Sequence, residues 1–321
     1  MYPPPTVLVF AGNDPSGGAG LCADIQALAS MNCHAAPVVT CLTIQDTRNV
    51  LESMPLSGAK VRAQAEAVLA DMPIAAIKIG LLGNVEIVEA VAQVLLKYPQ
   101  IPVVLDPVLA AGGGQSLMQG NVCSAIRAQL LPLIQIITPN SQEARTLSQE
   151  TQLEAAAAQL MNFGCQYVCI TGTHEDTPRV VNTLYHQGQQ LQSWTCPRLP
   201  DSYHGSGCTF ASSLAGQLAQ GIDILTATEK AQQYTFHSLQ RGYRPSQGQA
   251  LPNRVGAMRG NPVAPAKPEP TKAIYSPNIH QAFLYTSLML PRFRSIRHPA
   301  HRWHHHHHIQ EDFFRLLPPI L

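Results

Sequence analysis

The sequence contains no run of about eighteen apolar residues, so no membrane-spanning helix is predicted. Its first residues, Met-Tyr-Pro-Pro-Pro-Thr, lack the basic region, apolar core and small-residue cleavage site of a secretory signal, and a cytoplasmic location is expected. Charged residues are only 13% of the chain and nearly cancel at a formal +1, which leaves no general electrostatic case for a nucleic-acid partner. The eight cysteines (Cys22, Cys33, Cys41, Cys123, Cys165, Cys169, Cys196, Cys208) form no C-x-x-C pair and no zinc spacing. Most sit in apolar runs and read as small buried hydrophobes in a reducing compartment.

A hydrophobic content of 45% is ordinary for a chain with a real core. Charge is unevenly placed. Residues 1–254 hold 13 Lys/Arg against 17 Asp/Glu, whereas residues 255–321 hold 8 against 3. That second part also carries 9 of the 26 prolines and 8 of the 13 histidines, without a sustained period. It reads as a Pro/His-rich basic tail, with a flexible linker over Met258–Lys272 and short helices at Phe283–Leu290 and Phe313–Leu317. The run His304–His308 has no scaffold and makes a poor specific metal site.

The chain is organised around Tyr203–Gly221. Phe210, Leu214 and Leu218 recur at helical spacing, with Ala211 and Ala215 beside them, and Gly221 supplies a stop. Ahead of this helix, Gly205 and Gly207 remove side chains that would keep a ligand from the backbone. The amides of Gly205, Ser206 and Gly207 are expected to converge on an anion, with the helix dipole adding positive potential. Cys208 lies at that electropositive end, where a thiol pKa tends to fall. An anion hole beside a base is what phosphoryl transfer from ATP to a hydroxyl requires.

Before that stretch, strands alternate with helices. The run Val7–Ala11 leads into Gly12-Asn13-Asp14-Pro15-Ser16-Gly17-Gly18-Ala19-Gly20 and then helical spacing at Leu21, Ile25 and Leu28. The loop matches only a variant of the dinucleotide fingerprint, with no acidic residue at the expected place after a second strand, so that reading is set aside. Strands are expected at Pro37–Thr43, Ala75–Ile79, Val103–Leu105, Ile134–Thr138 and Tyr167–Thr171. Helices are expected near Ser57–Ala70, Val85–Leu96, within Val122–Leu130, over Leu153–Asn162 and near Thr226–Gly242. A hairpin turns at Gln187-Gly188, and a glycine run stands at Gly112–Gly114.

This alternation predicts βαβ units around a mostly parallel sheet. Polar groups follow the strand ends: Asp14, Gln45, Asp106, Asn140 and His174. Ligands of open α/β sheets bind at those carboxyl ends, so one cleft is expected. Gln45 has the donor and acceptor to read one edge of a heteroaromatic ring. Asp24, one turn past Gly20, is expected to face the cleft. Asn140 and Glu143, three apart at a helix start, offer oxygens to magnesium or its waters, and equally form a capping box.

Taken together, several pieces resemble the hydroxymethylpyrimidine/phosphomethylpyrimidine kinases of thiamine biosynthesis, in the ribokinase-like superfamily. They are Ala11–Gly20 with Asp24, Leu42–Thr47, Lys78–Leu82, Asp106-Pro107-Val108, Thr138-Pro139-Asn140 with Glu143, and His204–Thr209, in family order over about residues 6–250. The resemblance implies a doubly wound, mostly parallel α/β sheet of ribokinase type with helices on both faces, carried by residues 1–254. It also implies two successive reactions, ATP with Mg2+ phosphorylating the hydroxymethylpyrimidine and then its monophosphate, in a homodimer.

By the same carry-over, Gln45, Gly12, Asp24, Leu81 and Asp106 bind the substrate, Leu81 standing where the family usually has methionine. Asn140 and Glu143 organise magnesium and phosphates, with Thr171 and Gly172 on the ATP side. Gly205, Ser206 and Gly207 form the anion hole, and Cys208 takes the hydroxyl proton. One departure is clear: Thr171-Gly172-Thr173-His174 replaces the family's Lys-Gly-Gly-His, removing a cation that would meet ATP phosphates. Arg179, His174 or magnesium would have to compensate. A vitamin B6 (pyridoxal) kinase, which shares the fold, and a non-catalytic pyrimidine sensor are the alternatives.

Overall fold

The computed structural model describes residues 3–109 and 120–256. The glycine run Gly112–Gly114 and the tail features from Met258 onward lie outside the described residues. The elements in chain order are β1 (Thr6–Asn13), α1 (Gly20–Ser30), β2 (His34–Gln45), β3 (Val50–Pro55), α2 (Gly58–Asp71), β4 (Ile74–Ile79), α3 (Val85–Leu95) and β5 (Val103–Leu105). There follow α4 (Val122–Ala125), which runs on into a wider π turn over Ile126–Leu130, then β6 (Ile136–Ile137), α5 (Ser141–Ser148) and α6 (Leu153–Asn162). The last elements are β7 (Tyr167–Thr171), β8 (Arg179–His186), β9 (Gln189–Pro197), α7 (Ser206–Ala219) and α8 (Ile224–Gln240).

The strands make one nine-stranded sheet in the order β3-β2-β1-β4-β5-β6-β7-β8-β9. Neighbours from β2 to β7 are parallel, and β3, β8 and β9 are antiparallel additions at the two edges. The expected doubly wound sheet with helices on both faces is what forms. Its central strands read as unbroken apolar runs because both faces are covered. Leu8, Phe10, Ile77, Ile79, Leu105 and Ile137 pack toward α2, α3, α5 and α6 through Val61, Ile87, Val91, Leu147 and Leu160. On the other face, Val7, Val9, Ala76, Val104 and Ile136 meet Leu21, Leu28, Phe210, Leu214 and Ala227 of α1, α7 and α8.

Two expectations need correction. Strand β3 was not anticipated: only Val50 of its six residues is buried, so the edge strand shows almost no inward period. Asp46 builds its turn, accepting hydrogen bonds from the amides of Arg48 (2.7 Å) and Asn49 (2.8 Å). The strand expected over Ile134–Thr138 shrinks to Ile136–Ile137, preceded by a tight helical turn over Leu131–Leu133. At the far edge, Gln187 (φ 51°) and Gly188 (φ 75°) make the two left-handed positions of the expected hairpin.

The chain passes from β1 to β2 on one side and returns to β4 on the other, so the order reverses at β1. A doubly wound sheet opens its crevice at the carboxyl ends beside such a reversal.

Candidate active site

Two loops meet above that reversal. In the first, after β1, the buried Asp14 carboxylate accepts hydrogen bonds from the amides of Ser16 (2.8 Å) and Ala19 (2.7 Å). In the second, before α7, His204 places Nε2 2.8 Å from Asp14 Oδ2. Hydrogen bonding to His204, Ser16 and Ala19 holds the Asp14 carboxyl below its usual pKa, against the opposing effect of burial. Gly205 is bound on both counts to be glycine. Its φ is +81°, and a Cβ there would lie 1.9 Å from the carbonyl oxygen of Gly18.

Gly205 is the N-cap of α7, and the first intrahelical bond runs from Thr209 N to Gly205 O (3.0 Å). The amides of Ser206, Gly207 and Cys208 at the start of α7 therefore have no partner inside the helix, and neither does that of the N-cap Gly205, so the expected Gly205–Gly207 set lies within this turn. Beneath them lies Asp106: a Cβ on Gly207 would stand 3.7 Å from Asp106 Oδ1.

Behind the first turn is a buried charge cluster. Lys78, at the end of β4, is fully buried, with Nζ 2.9 Å from Asp24 Oδ1 and 4.0 Å from Asp106 Oδ2. Ser212 of α7 donates to the same Asp24 oxygen at 2.6 Å. Asp24 therefore does not face an open cleft; it is fully buried as the partner of Lys78, a correction that follows from its position on the inner side of α1. Asp24 Oδ2 and Asp106 Oδ2 have no hydrogen-bond partner. The ammonium needs the space left by Gly80, where a Cβ would come within 2.8 Å of Nζ.

Three acidic groups share this one cation. Burial works against the charge of Lys78, but Asp24, Cys208 and Asp106 overcome it and raise the lysine pKa. Burial also raises the Asp106 carboxyl, with repulsion from Asp24 adding to it and Lys78 opposing. Cys208 does not become the low-pKa thiol expected at a helix N-terminus. Burial pushes it up to about 12, and the charges of Asp106 and Asp24 add to that against the pull of Lys78. Alkylation by iodoacetamide, read by mass spectrometry, is expected to leave Cys208 unmodified at pH 7.5 while the half-buried Cys22, Cys123 and Cys196 react. Asp24→Asn removes one repelling charge and is expected to move the onset of Cys208 alkylation to lower pH.

On one side of the cluster is an apolar wall. Gly12 sits against Leu81, whose Cδ2 would be 3.1 Å from a Cβ at residue 12. Leu81 packs with Cys41, Val50 and Val108. At the end of β2, Gln45 Nε2 donates to Thr43 Oγ1 (2.7 Å), which donates to Asn13 O (2.8 Å), tying Gln45 to the loop after β1.

On the other side is the start of α5. Asn140 Oδ1 accepts from the amides of Gln142 and Glu143, both at 2.9 Å, and Glu143 Oε2 accepts from Asn140 N at 2.9 Å. The capping box therefore forms, and it occupies both lone pairs of Asn140 Oδ1, leaving Asn140 a side-chain N–H donor, while the Leu109 amide also hydrogen-bonds the Glu143 carboxyl. Burial first, and the Asp106 charge second, push the Glu143 carboxyl up to about 8. Thr171 forms an isolated parallel bridge with Asn140, its amide donating to Pro139 O at 2.9 Å. At Gly172 a Cβ would meet the Val181 carbonyl oxygen at 2.2 Å, and its amide donates to Asn182 Oδ1 at 3.1 Å. His174 and Arg179 are both exposed and join none of these groups. Nearby Arg145 is committed to a two-pronged pair with Glu175 (2.7 and 2.9 Å).

Residues 14–253 match the sequence profile of the family described as phosphomethylpyrimidine kinase. The chain belongs to that family. It is 35% identical over 246 residues to the hydroxymethylpyrimidine/phosphomethylpyrimidine kinase of Streptomyces coelicolor, covering 75% of this chain and 90% of that relative. Among solved structures it is similar to phosphomethylpyrimidine kinase from Clostridium difficile, with a TM-score of 0.64, 28% identity and coverage of 74% and 99%. It is also similar to the pyridoxal kinase from Staphylococcus aureus in complex with AMP-PCP and pyridoxal, with a TM-score of 0.71, 28% identity and coverage of 80% and 96%.

Lys78 and His204 stand in the motif stretches quoted above, but the sequence assigns them no role, and it assigns none to Arg254. Lys78 did carry a signal, since a lysine inside an apolar strand covered on both faces must have a buried counter-charge. Arg254 carried none. Among the described residues, no helix is long and apolar enough to cross a membrane.

Proposed function

We propose that this chain transfers the γ-phosphoryl group of ATP to the hydroxymethyl oxygen of 4-amino-5-hydroxymethyl-2-methylpyrimidine, and then a second phosphoryl group to the resulting monophosphate, toward thiamine diphosphate. Residues 1–254 are the kinase unit. The observation that carries this reading is the meeting of three partnerless amides, Ser206 to Cys208, with Cys208 and Asp106 directly beneath them. The family match supplies the substrate class.

The ring lies on the Gly12–Leu81 wall with Gln45 at its edge, and the hydroxymethyl oxygen points at Cys208. The first-turn amides of α7 receive the transferring phosphoryl oxygens, whose charge the helix dipole stabilises. As the oxygen–phosphorus bond forms and the bond to ADP breaks, the hydroxyl proton passes to the Cys208–Asp106 pair. Cys208 is a thiol at neutral pH, so it accepts that proton as its own moves to the Asp106 carboxylate, which burial has made more basic.

Mg2+ fits Glu143, a carboxyl raised by burial and by the Asp106 charge, a strain that a divalent cation would relieve. When bound with ATP, it would neutralise phosphate charge. The side-chain N–H of Asn140 and the hydroxyl of Thr171 then meet the phosphate tail as neutral donors, where the resemblance implies a lysine.

The test is ADP release from Mg-ATP with the hydroxymethylpyrimidine, its monophosphate and pyridoxal as acceptors. Turnover of both pyrimidines, faster than of pyridoxal, is the expected result. Pyridoxal as the sole good acceptor would move the chain to the reaction named for the S. aureus neighbour. Pyrimidine binding without ADP release would make it a sensor, with the uncharged Thr171 as the cause.

A further inference from the structure

Arg254 is 2% exposed, yet among the described residues no carboxylate lies within ion-pair distance of it. A buried guanidinium without a counter-ion is costly unless its donors are met. Here they are met by the anion loop itself. One terminal nitrogen, Nη2, donates to the carbonyl oxygens of both Gly18 and Gly205, the latter at 3.5 Å. Nε donates to Thr209 Oγ1 at 2.8 Å, and Thr209 Oγ1 in turn donates to Gly205 O at 2.7 Å. Nη1 reaches Gln26 Oε1 on α1 at 3.2 Å. The Arg254 backbone is itself anchored, its carbonyl accepting from Ser30 Oγ (2.6 Å) and Tyr234 OH (2.8 Å).

Every acceptor belongs to one of the two loops that meet over the site or to the helices they start. The guanidinium thus fixes Gly205, the residue that aims the Ser206–Cys208 amides, and holds it against Gly18 of the first loop. It also leaves a positive charge unneutralised directly behind those amides. From these contacts we infer that Arg254 is a positioning residue for phosphoryl transfer, holding the α7 anion loop in register and supplying, from behind, positive potential that Thr171 cannot supply at the phosphates. This inference rests on the reading of that loop as the phosphoryl site.

The test compares wild type with Arg254→Gln, Arg254→Lys and, as a gentler variant that breaks the same relay, Thr209→Val. Two quantities are read below each variant's melting temperature: kcat on the pyrimidine, and the affinity ratio for Mg-AMP-PCP over Mg-ADP by calorimetry. That ratio isolates the third phosphate and needs no acceptor. Losing a charge-assisted contact predicts a fall of about 10- to 100-fold in kcat for Arg254→Gln, with KM for the pyrimidine changed less than about twofold. The affinity ratio falls in parallel, and Arg254→Lys recovers part of both. A folded Arg254→Gln or Thr209→Val enzyme with unchanged kcat and ratio would overturn the inference, as would a loss of thermal stability alone. A wild type that releases no ADP with any acceptor would instead sink the proposed function, and the affinity ratio would still judge Arg254.

Discussion

Cys208→Ala is expected to lower kcat on the hydroxymethylpyrimidine by about 10²- to 10⁴-fold, the usual worth of a positioned acid–base group. KM should change little, because the small, buried thiol contributes little area to ring binding. The expectation does not depend on a thiolate in the free protein. Burial holds Cys208 as a thiol, so its role requires Asp106, and Asp106→Asn should fall by a similar factor. The double variant should then be little worse than either single one, since residues acting as a unit are non-additive. Steady-state kinetics of the three variants decide it. A Cys208→Ala enzyme within a few-fold of wild type would remove the sulfur from the proton path and leave Asp106 as the base.

The largest effect on stability is expected at Lys78. Lys78→Met fills similar space but leaves Asp24 and Asp106 buried without their cation. Removing one partner of a buried pair costs about 3–5 kcal/mol, and here two carboxylates lose it. The loss should show as a lowered urea midpoint at pH 7. Its pH dependence gives a second readout. The folded pKa of Asp106 is already raised by burial, so its protonated form is the one folding favours. Without Lys78 the pull opposing that rise is lost, and Asp106 shifts further up. A raised carboxyl binds more protons folded than unfolded, so its stabilising effect is present below the unfolded value and is lost as pH rises through the folded one. Lys78→Met should therefore approach wild-type stability on acidification toward pH 4 and fall away toward pH 8. Adding Asp24→Asn should restore much of the loss at neutral pH. Equal urea midpoints for Lys78→Met and wild type at pH 7 would show that the buried cluster does not need its cation.

The parts of this protein legible in sequence are those set by neighbours along the chain. The apolar runs of β1 and β4, the 3.6-residue period of α7 and the Gln187-Gly188 turn are local choices of backbone and burial, and each appears where expected. So does the capping box, because Asn140 and Glu143 are one helical turn apart. Strand β3 was illegible because its pattern is set by a partner strand and a single inward residue, Val50. That α7 starts directly after Gly205 was not legible either, because only the backbone shows Gly205 in a left-handed conformation, ending the loop there.

What no local pattern carries is the pairing of distant groups. Lys78 meets Asp24 across 54 residues of sequence, His204 meets Asp14 across 190, and Arg254 meets Gly18 across 236. The sheet order decides those pairs, by reversing at β1 and bringing α1, β4, β5 and α7 around one point. The same packing decides the chemistry of Cys208. From the sequence its helix N-terminus argued for a low pKa, whereas the folded chain removes water from the thiol and crowds it with Asp106 and Asp24. The sequence alone determined the fold class and the family, since these follow from periodicity and motif order. The tertiary structure alone decided the protonation and partners of the site residues, because desolvation and charge depend on what surrounds a group in space and not on what precedes it in the chain.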